Sequence, residues 1–239
     1  ILESEKGFFR AFTQWPEFNY YPEKVTEGLG SKWSIMNINI KIHACCGFFP
    51  PGLDIIQDFV REKNLKIDDV EHIKLTSYTL GIDGHTDAHP TTIVGATMSY
   101  PYCIAVVLAT EKCSLNDFTM ERLRDKKFMK MVAEIGAKTE FTIDPEMDKQ
   151  IPGKYPATIQ VKVKGGGILE KHGDLPRGFY PENPVEDRDL EEKFFGLATM
   201  VISRKRAEKV LGLVRELEKL KDIRDLTVFL QPSYDEVAG

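Results

Sequence analysis

The chain has 239 residues, of which 42% are hydrophobic and 29% charged, with a formal net charge of -5. That length holds one large domain or two small ones, and the negative balance argues against a nucleic-acid-binding surface. No apolar run reaches the ~18 residues that a membrane span needs, and the four cysteines read as reduced thiols of a cytoplasmic protein, not as a disulfide scaffold.

The sequence opens on Ile1, not methionine, which leads us to expect chain upstream of it. Residues 1–30 read as short helical pieces and as the tail of a domain. Phe8, Phe9 and Phe12 cluster on one side and call for a surface to bury against. Trp15, Pro16, Pro22, Gly28 and Gly30 break the pattern.

From Trp33 to Asp54 the chain reads as strand, tight loop and helix. Ile38, Ile40 and Ile42 alternate with Asn37, Asn39 and Lys41, a period of two that predicts a half-buried strand. Ala44-Cys45-Cys46-Gly47 forms the loop. Pro50 and Pro51 then open a helix carried by Leu53, Ile56, Phe59 and Val60. This arrangement sets Lys41 near a helix N-terminus, and free backbone N–H groups beside a cation suit a carboxylate or phosphate. The alternative is a solvated lysine at a strand end.

A second strand is predicted over residues 71–78, on Ile73 and Leu75. A loop rich in Gly, Asp and His covers residues 81–92, and a helix covers much of 94–110. Pro101 leaves two readings there: Ser99 caps a helix starting near it, or the proline kinks a longer one. Residues 117–135 form an amphipathic charged helical segment. Residues 138–143 and 157–164 alternate as strands, and Gly165-Gly166-Gly167 turns the second into a hairpin with 168–171. Residues 173–187 carry Pro176, Pro181 and Pro184 and read as a linker. Helix is predicted throughout 190–220, capped by Asp187 or Asp189, and a short final strand over 226–230. Helices and strands without regular βαβ spacing predict an α+β fold with a mostly antiparallel sheet.

Few constellations carry chemistry. His85 and His89, with Asp83 and Asp87, have residue types that ligate metal, but Gly81, Gly84 and Pro90 speak against the helix that would align them. A solvated polar loop is the default. Cys45-Cys46 lacks the spacing of a zinc knuckle. The triple glycine is not followed by the Lys-Ser or Lys-Thr of a phosphate loop, and no Gly-x-Ser-x-Gly occurs. Tyr102 places one hydroxyl on an otherwise aliphatic helix face. It reads as core packing, with a proton-donor or substrate-binding role as the rival.

In chain order, four stretches resemble the C-terminal portion of the MmgE/PrpD family, whose members include 2-methylcitrate dehydratase, aconitate decarboxylase and iminodisuccinate epimerase. They are Ile1-Leu2-Glu3 through Gly7-Phe8, Lys41 through Asp54, Ala96 through Ala105, and Lys193-Phe194. The resemblance implies a two-layer α+β lid domain over residues 33–185. Residues 1–32 and 186–239 would complete an all-α domain whose larger, histidine-bearing share is an N-terminal helical half outside this sequence. It further implies a homodimer acting as a lyase or isomerase on a small polycarboxylate, with no metal or organic cofactor. Lys41 matches the family's active-site lysine and Tyr102 its active-site tyrosine. Cys46 falls where some members place a substrate-facing histidine, and Pro50 where many have another. The competing expectation is a non-catalytic subunit or partner-binding module.

Overall fold

The computed structural model describes Ser4, residues 7–12, Tyr21 and residues 23–231. The chain divides into two compact units, Ile1–Ile38 and Asn39–Gly239. In the first, helical turns cover Phe8–Phe12, Glu23–Thr26 and Ser34–Asn37. Phe8 and Phe12 pack their rings on each other at 4.7 Å, yet both remain exposed. The expected breaks at Trp15, Pro16 and Pro22 lie outside the described residues, as does the Ile1-Leu2-Glu3 part of the family resemblance.

The second unit is built around a four-stranded sheet. Strands β1 (Val70–Ser77), β2 (Thr139–Ile143), β3 (Ala157–Val163) and β4 (Gly167–Gly173) lie in the order β2-β1-β3-β4. The α+β class holds, but the sheet is mixed, because β2 runs parallel to β1 while β3 and β4 pair antiparallel. The reason is the long helical connection between β1 and β2, which returns the chain to the same end of the sheet. The glycine hairpin forms as predicted, with Gly165 and Gly166 at φ 95° and 100°, values that a side chain would strain.

The sheet has two unlike faces. Ile73 and Leu75 of β1 oppose Val161 and Ile159 of β3 and are buried. The other face carries cross-strand pairs in water: Lys162 with Glu71 and Lys74 with Glu140. Helix α1 (Pro50–Lys63) packs on β3 and β4, with Leu53, Ile55, Ile56 and Phe59 buried. It starts as expected with prolines in its first turn and stops at Asn64, whose left-handed conformation (φ 52°) ends it.

The region around Pro101 contains two helices, α2 (Ile93–Thr97) and α3 (Tyr100–Thr110). Ser99 caps the second by accepting a hydrogen bond from the Tyr102 N–H at 3.1 Å, and Pro101 sits in its first turn. Helix α3 is buried from Tyr100 to Leu108. It lies between α1 and α4 (Lys126–Lys138), whose apolar face is Phe128, Val132 and Ile135. A two-layer α/β arrangement follows, its core between the helices and one sheet face.

Two predicted strands are absent. At residues 38–42 the chain is extended, but its ladder stops at one described backbone bond, Ile40 N–H to the Gly178 carbonyl at 2.8 Å. Its neighbour is the proline-rich 174–186 loop, which offers no regular run of donors, and Ile38 is exposed. Residues 226–230 are helical turns, Arg224–Thr227 and Val228–Leu230. Leu226 is buried in a small core with Ile202, Ala207 and Val210, and Phe229 packs against it. The long C-terminal helix is two helices, α5 (Asp187–Ala198) and α6 (Arg204–Arg215). Ser203 caps α6, whereas Glu186, not Asp187 or Asp189, stands at the start of α5.

Candidate functional site

Lys41 owes its place to a close backbone approach. The Gly178 carbonyl receives the Ile40 N–H, and Gly178 itself has φ +92°; a Cβ there would lie 1.8 Å from the Ile40 oxygen. Only glycine fits. The Lys41 side chain folds back so that its ammonium donates to the Cys45 carbonyl at 2.7 Å. From α5, the Lys193 ammonium donates to the Lys41 carbonyl. Burial, with the nearby charge of Lys41, pulls the Lys193 amine below the usual lysine range.

These two lysines line a cavity of about 380 Å³ together with Arg61, Lys112, Asn116 and Leu197. A wider cleft of about 900 Å³ adjoins it, sharing Arg61 and Lys112 but not reaching Lys41. Lys112 is paired with Glu192. Among the described residues, Lys41, Arg61 and Lys193 have no carboxylate at ion-pair distance. Asp189 and Glu192 also line the cavity, but with Lys112 and Arg177 beside these three the cations outnumber them, and such a concavity suits an anion with several charges.

A buried network supports this wall. His43, also on the cavity, is 2% exposed, and its Nε2 lies 3.0 Å from Asp54 Oδ1 on α1. An ionised carboxylate only accepts, so Nε2 carries a proton in this contact. Asp54 also accepts from the Arg177 backbone N–H at 2.8 Å and from Arg177 Nε at 3.0 Å. Burial pushes the Asp54 carboxyl up, but the hydrogen bond and charge of His43, with Arg177, outweigh it and hold the group below its usual range. The Arg177 guanidinium continues to Gln57, which donates in turn to the Glu111 carbonyl.

The other sequence-derived positions lie elsewhere. Tyr102 is fully buried in α3, stacked 5.6 Å from Phe118 and edge-on to Phe128. Its hydroxyl donates to the Asp117 carbonyl at 2.6 Å, and burial raises its pKa to about 12. It is not among the residues lining the cavity, although the turn it holds contributes Ser114, Leu115 and Asn116. Cys46 also stands off the cavity: its Sγ is 3.9 Å from His85 Nε2, and burial raises the thiol. Pro50 is buried in the first turn of α1. His85 packs edge-on against Phe49 at 5.1 Å, while Asp87 accepts the His89 N–H in a local turn. Among the described residues, the side chains that converge as metal ligands are Cys45, Cys103 and Cys113, not this loop.

Sequence reasoning missed His43, Arg177 and Arg61. His43 carried a weak signal, since a period of two places it on the side opposite Lys41's neighbours Ile40 and Ile42. Arg177 reaches Asp54 across 123 positions, and no local pattern announces that.

The profile of the MmgE/PrpD C-terminal domain matches residues 43–219. The chain belongs to the MmgE/PrpD family. This MmgE/PrpD chain is 28% identical over 237 residues to a cis-aconitate decarboxylase-like protein of Aspergillus oryzae, covering 94% of the chain and 47% of that relative. It is 25% identical over 241 residues to a cis-aconitate decarboxylase of Aspergillus terreus, covering 96% and 48%. With a human cis-aconitate decarboxylase it shares 32% identity over 109 residues, 45% of the chain and 22% of the relative. The MmgE/PrpD chain thus spans about half the length of the Aspergillus relatives it matches.

Proposed function

We propose that this chain is the C-terminal part of a dehydratase- or decarboxylase-like lyase acting on a small polycarboxylic acid. The observation that carries the reading is the cavity of about 380 Å³ bordered by Lys41, Lys193 and Arg61, cations without carboxylate partners among the described residues. Loss of water or carbon dioxide beside a carboxylate builds negative charge next to a group already negative. A fixed ammonium stabilises that transition state more than the ground state. Lys41 takes this role, and Lys193 and Arg61 hold the remaining carboxylates. Tyr102 acts as a positioning residue through the Asp117 carbonyl and the turn it holds. The general base comes from the N-terminal helical half that the family resemblance implies. Cys46 is given no substrate contact within this chain.

The anion's grip depends on pH in a defined direction. The Lys193 amine is lowered, so it loses its charge earlier as pH rises, and affinity for a polycarboxylate falls with rising pH before the ordinary lysine value of about 10.4 is reached.

The test joins the chain to such an N-terminal half and follows ultraviolet absorbance of a conjugated double bond with citrate-like and aconitate-like acids. Turnover that drops about 100-fold or more in Lys41→Ala, on the scale of losing one charge-stabilising donor, with folding unchanged, supports the reading. Binding of these acids without turnover by the joined protein would leave the non-catalytic partner module in its place.

A further inference from the structure

Three of the four thiols converge in the interior. Cys45 lies in the loop before α1, Cys103 in α3, and Cys113 just beyond α3; they are 3%, 0% and 2% exposed. None is in a disulfide. Their sulfurs lie within 4.8 Å of one another, and no imidazole or carboxylate joins the group among the described residues.

We propose that Cys45, Cys103 and Cys113 form a trithiolate site for one soft monovalent metal ion of the Cu(I) class. The geometry is close to what such an ion needs. Metal–sulfur bonds of about 2.3 Å in a trigonal plane separate the sulfurs by about 4.0 Å. Even with every edge of the triangle at 4.8 Å, each sulfur would move only about 0.5 Å inward to reach that bond length. Ligand chemistry gives the choice of ion. Thiolates select Cu(I) and Zn(II), but a structural zinc takes four ligands, and this site offers three sulfurs in a dry core. A three-coordinate ion of the Cu(I) class matches that number and type of ligand. Binding forms three Cu–S bonds and breaks three S–H bonds, and the protons leave to buffer. The metal's oxidation state does not change.

The site is placed to act on the chain around Lys41. The Cys45 carbonyl holds the Lys41 ammonium, and the Ala44 N–H donates to the Cys113 carbonyl at 2.8 Å. An ion shared by the three sulfurs ties that loop to α3 through covalent-strength bonds. The inference stands on the thiols alone and does not rest on the lyase reading.

The test uses the full chain, reduced and without added metal, titrated anaerobically with Cu(I) held by a chromogenic chelator. One ion per chain is expected to be withdrawn from the chelator. Uptake should persist in Cys46→Ser and be lost in Cys45→Ser, Cys103→Ser and Cys113→Ser. Because a buried substitution can unfold the chain, X-ray absorption on the unsubstituted protein gives an independent reading. A shell of three sulfurs is expected. No uptake, uptake that survives all three substitutions, or a shell containing nitrogen or oxygen would overturn the proposal.

Discussion

Asp54 shows how one carboxylate holds three parts of the chain. It joins His43, α1 and the 174–186 loop through Arg177. Replacement by Asn leaves the half-buried Arg177 poorly matched, and we expect a loss of about 1–3 kcal/mol at neutral pH in a denaturant titration. The pH dependence has a fixed sign. The folded carboxyl is held below its unfolded value. Its contribution is therefore whole above about pH 3.9 and is lost as pH falls from there through the folded value. Asp54→Asn should flatten the stability profile below about pH 4, measured as the unfolding midpoint at each pH. Tyr102→Phe is milder. It removes one hydrogen bond to the Asp117 carbonyl, and calorimetry should register a loss of about 1 kcal/mol.

At the scale of elements, tight fits decide more than propensity. A Cβ on Gly52 of α1 would stand 2.4 Å from the Tyr100 hydroxyl, which is fully buried and donates to the Phe49 carbonyl. Gly52→Ala forces α1 away from α3 and should destabilise by about 1–3 kcal/mol, read as a lowered unfolding midpoint. Gly178→Ala has a different signature. It breaks the approach that seats Lys41 while leaving the helix–sheet core intact, so polycarboxylate affinity should fall about tenfold, roughly one lost hydrogen bond, with a small change in midpoint. These contacts mark the limit of what the sequence discloses. Helix α1, β1 and the β3–β4 hairpin announce themselves by period and turn chemistry. The extended stretch before Lys41 has a strand's alternation but lacks a ladder partner, and pairing is not written in alternation. Residues 226–230 form an apolar run too short to distinguish strand from helix, and packing against α6 chose the helix. At the site, Lys41 lines the cavity without the strand its neighbours predicted, and the Asp54–Arg177 link had no local sign, because it exists only once distant segments meet.

At the scale of the whole molecule, the C-terminal helices are incompletely covered. Leu197, Met200, Val201, Val214 and Leu217 are all exposed by 40% or more. We expect an N-terminal helical half supplied in trans to bury this surface and raise the chain's unfolding midpoint. Equal midpoints with and without that half would show that the helices serve another purpose. No described helix is long and apolar enough to cross a membrane. The polar side of the sheet has the opposite bearing on assembly. Lysines 74 and 162, each facing an acid on the adjacent strand, keep a hydrated lattice of charge there. Stripping that hydration would cost more than the contacts return. We therefore expect this face of the sheet to stay in water when the chain meets a partner.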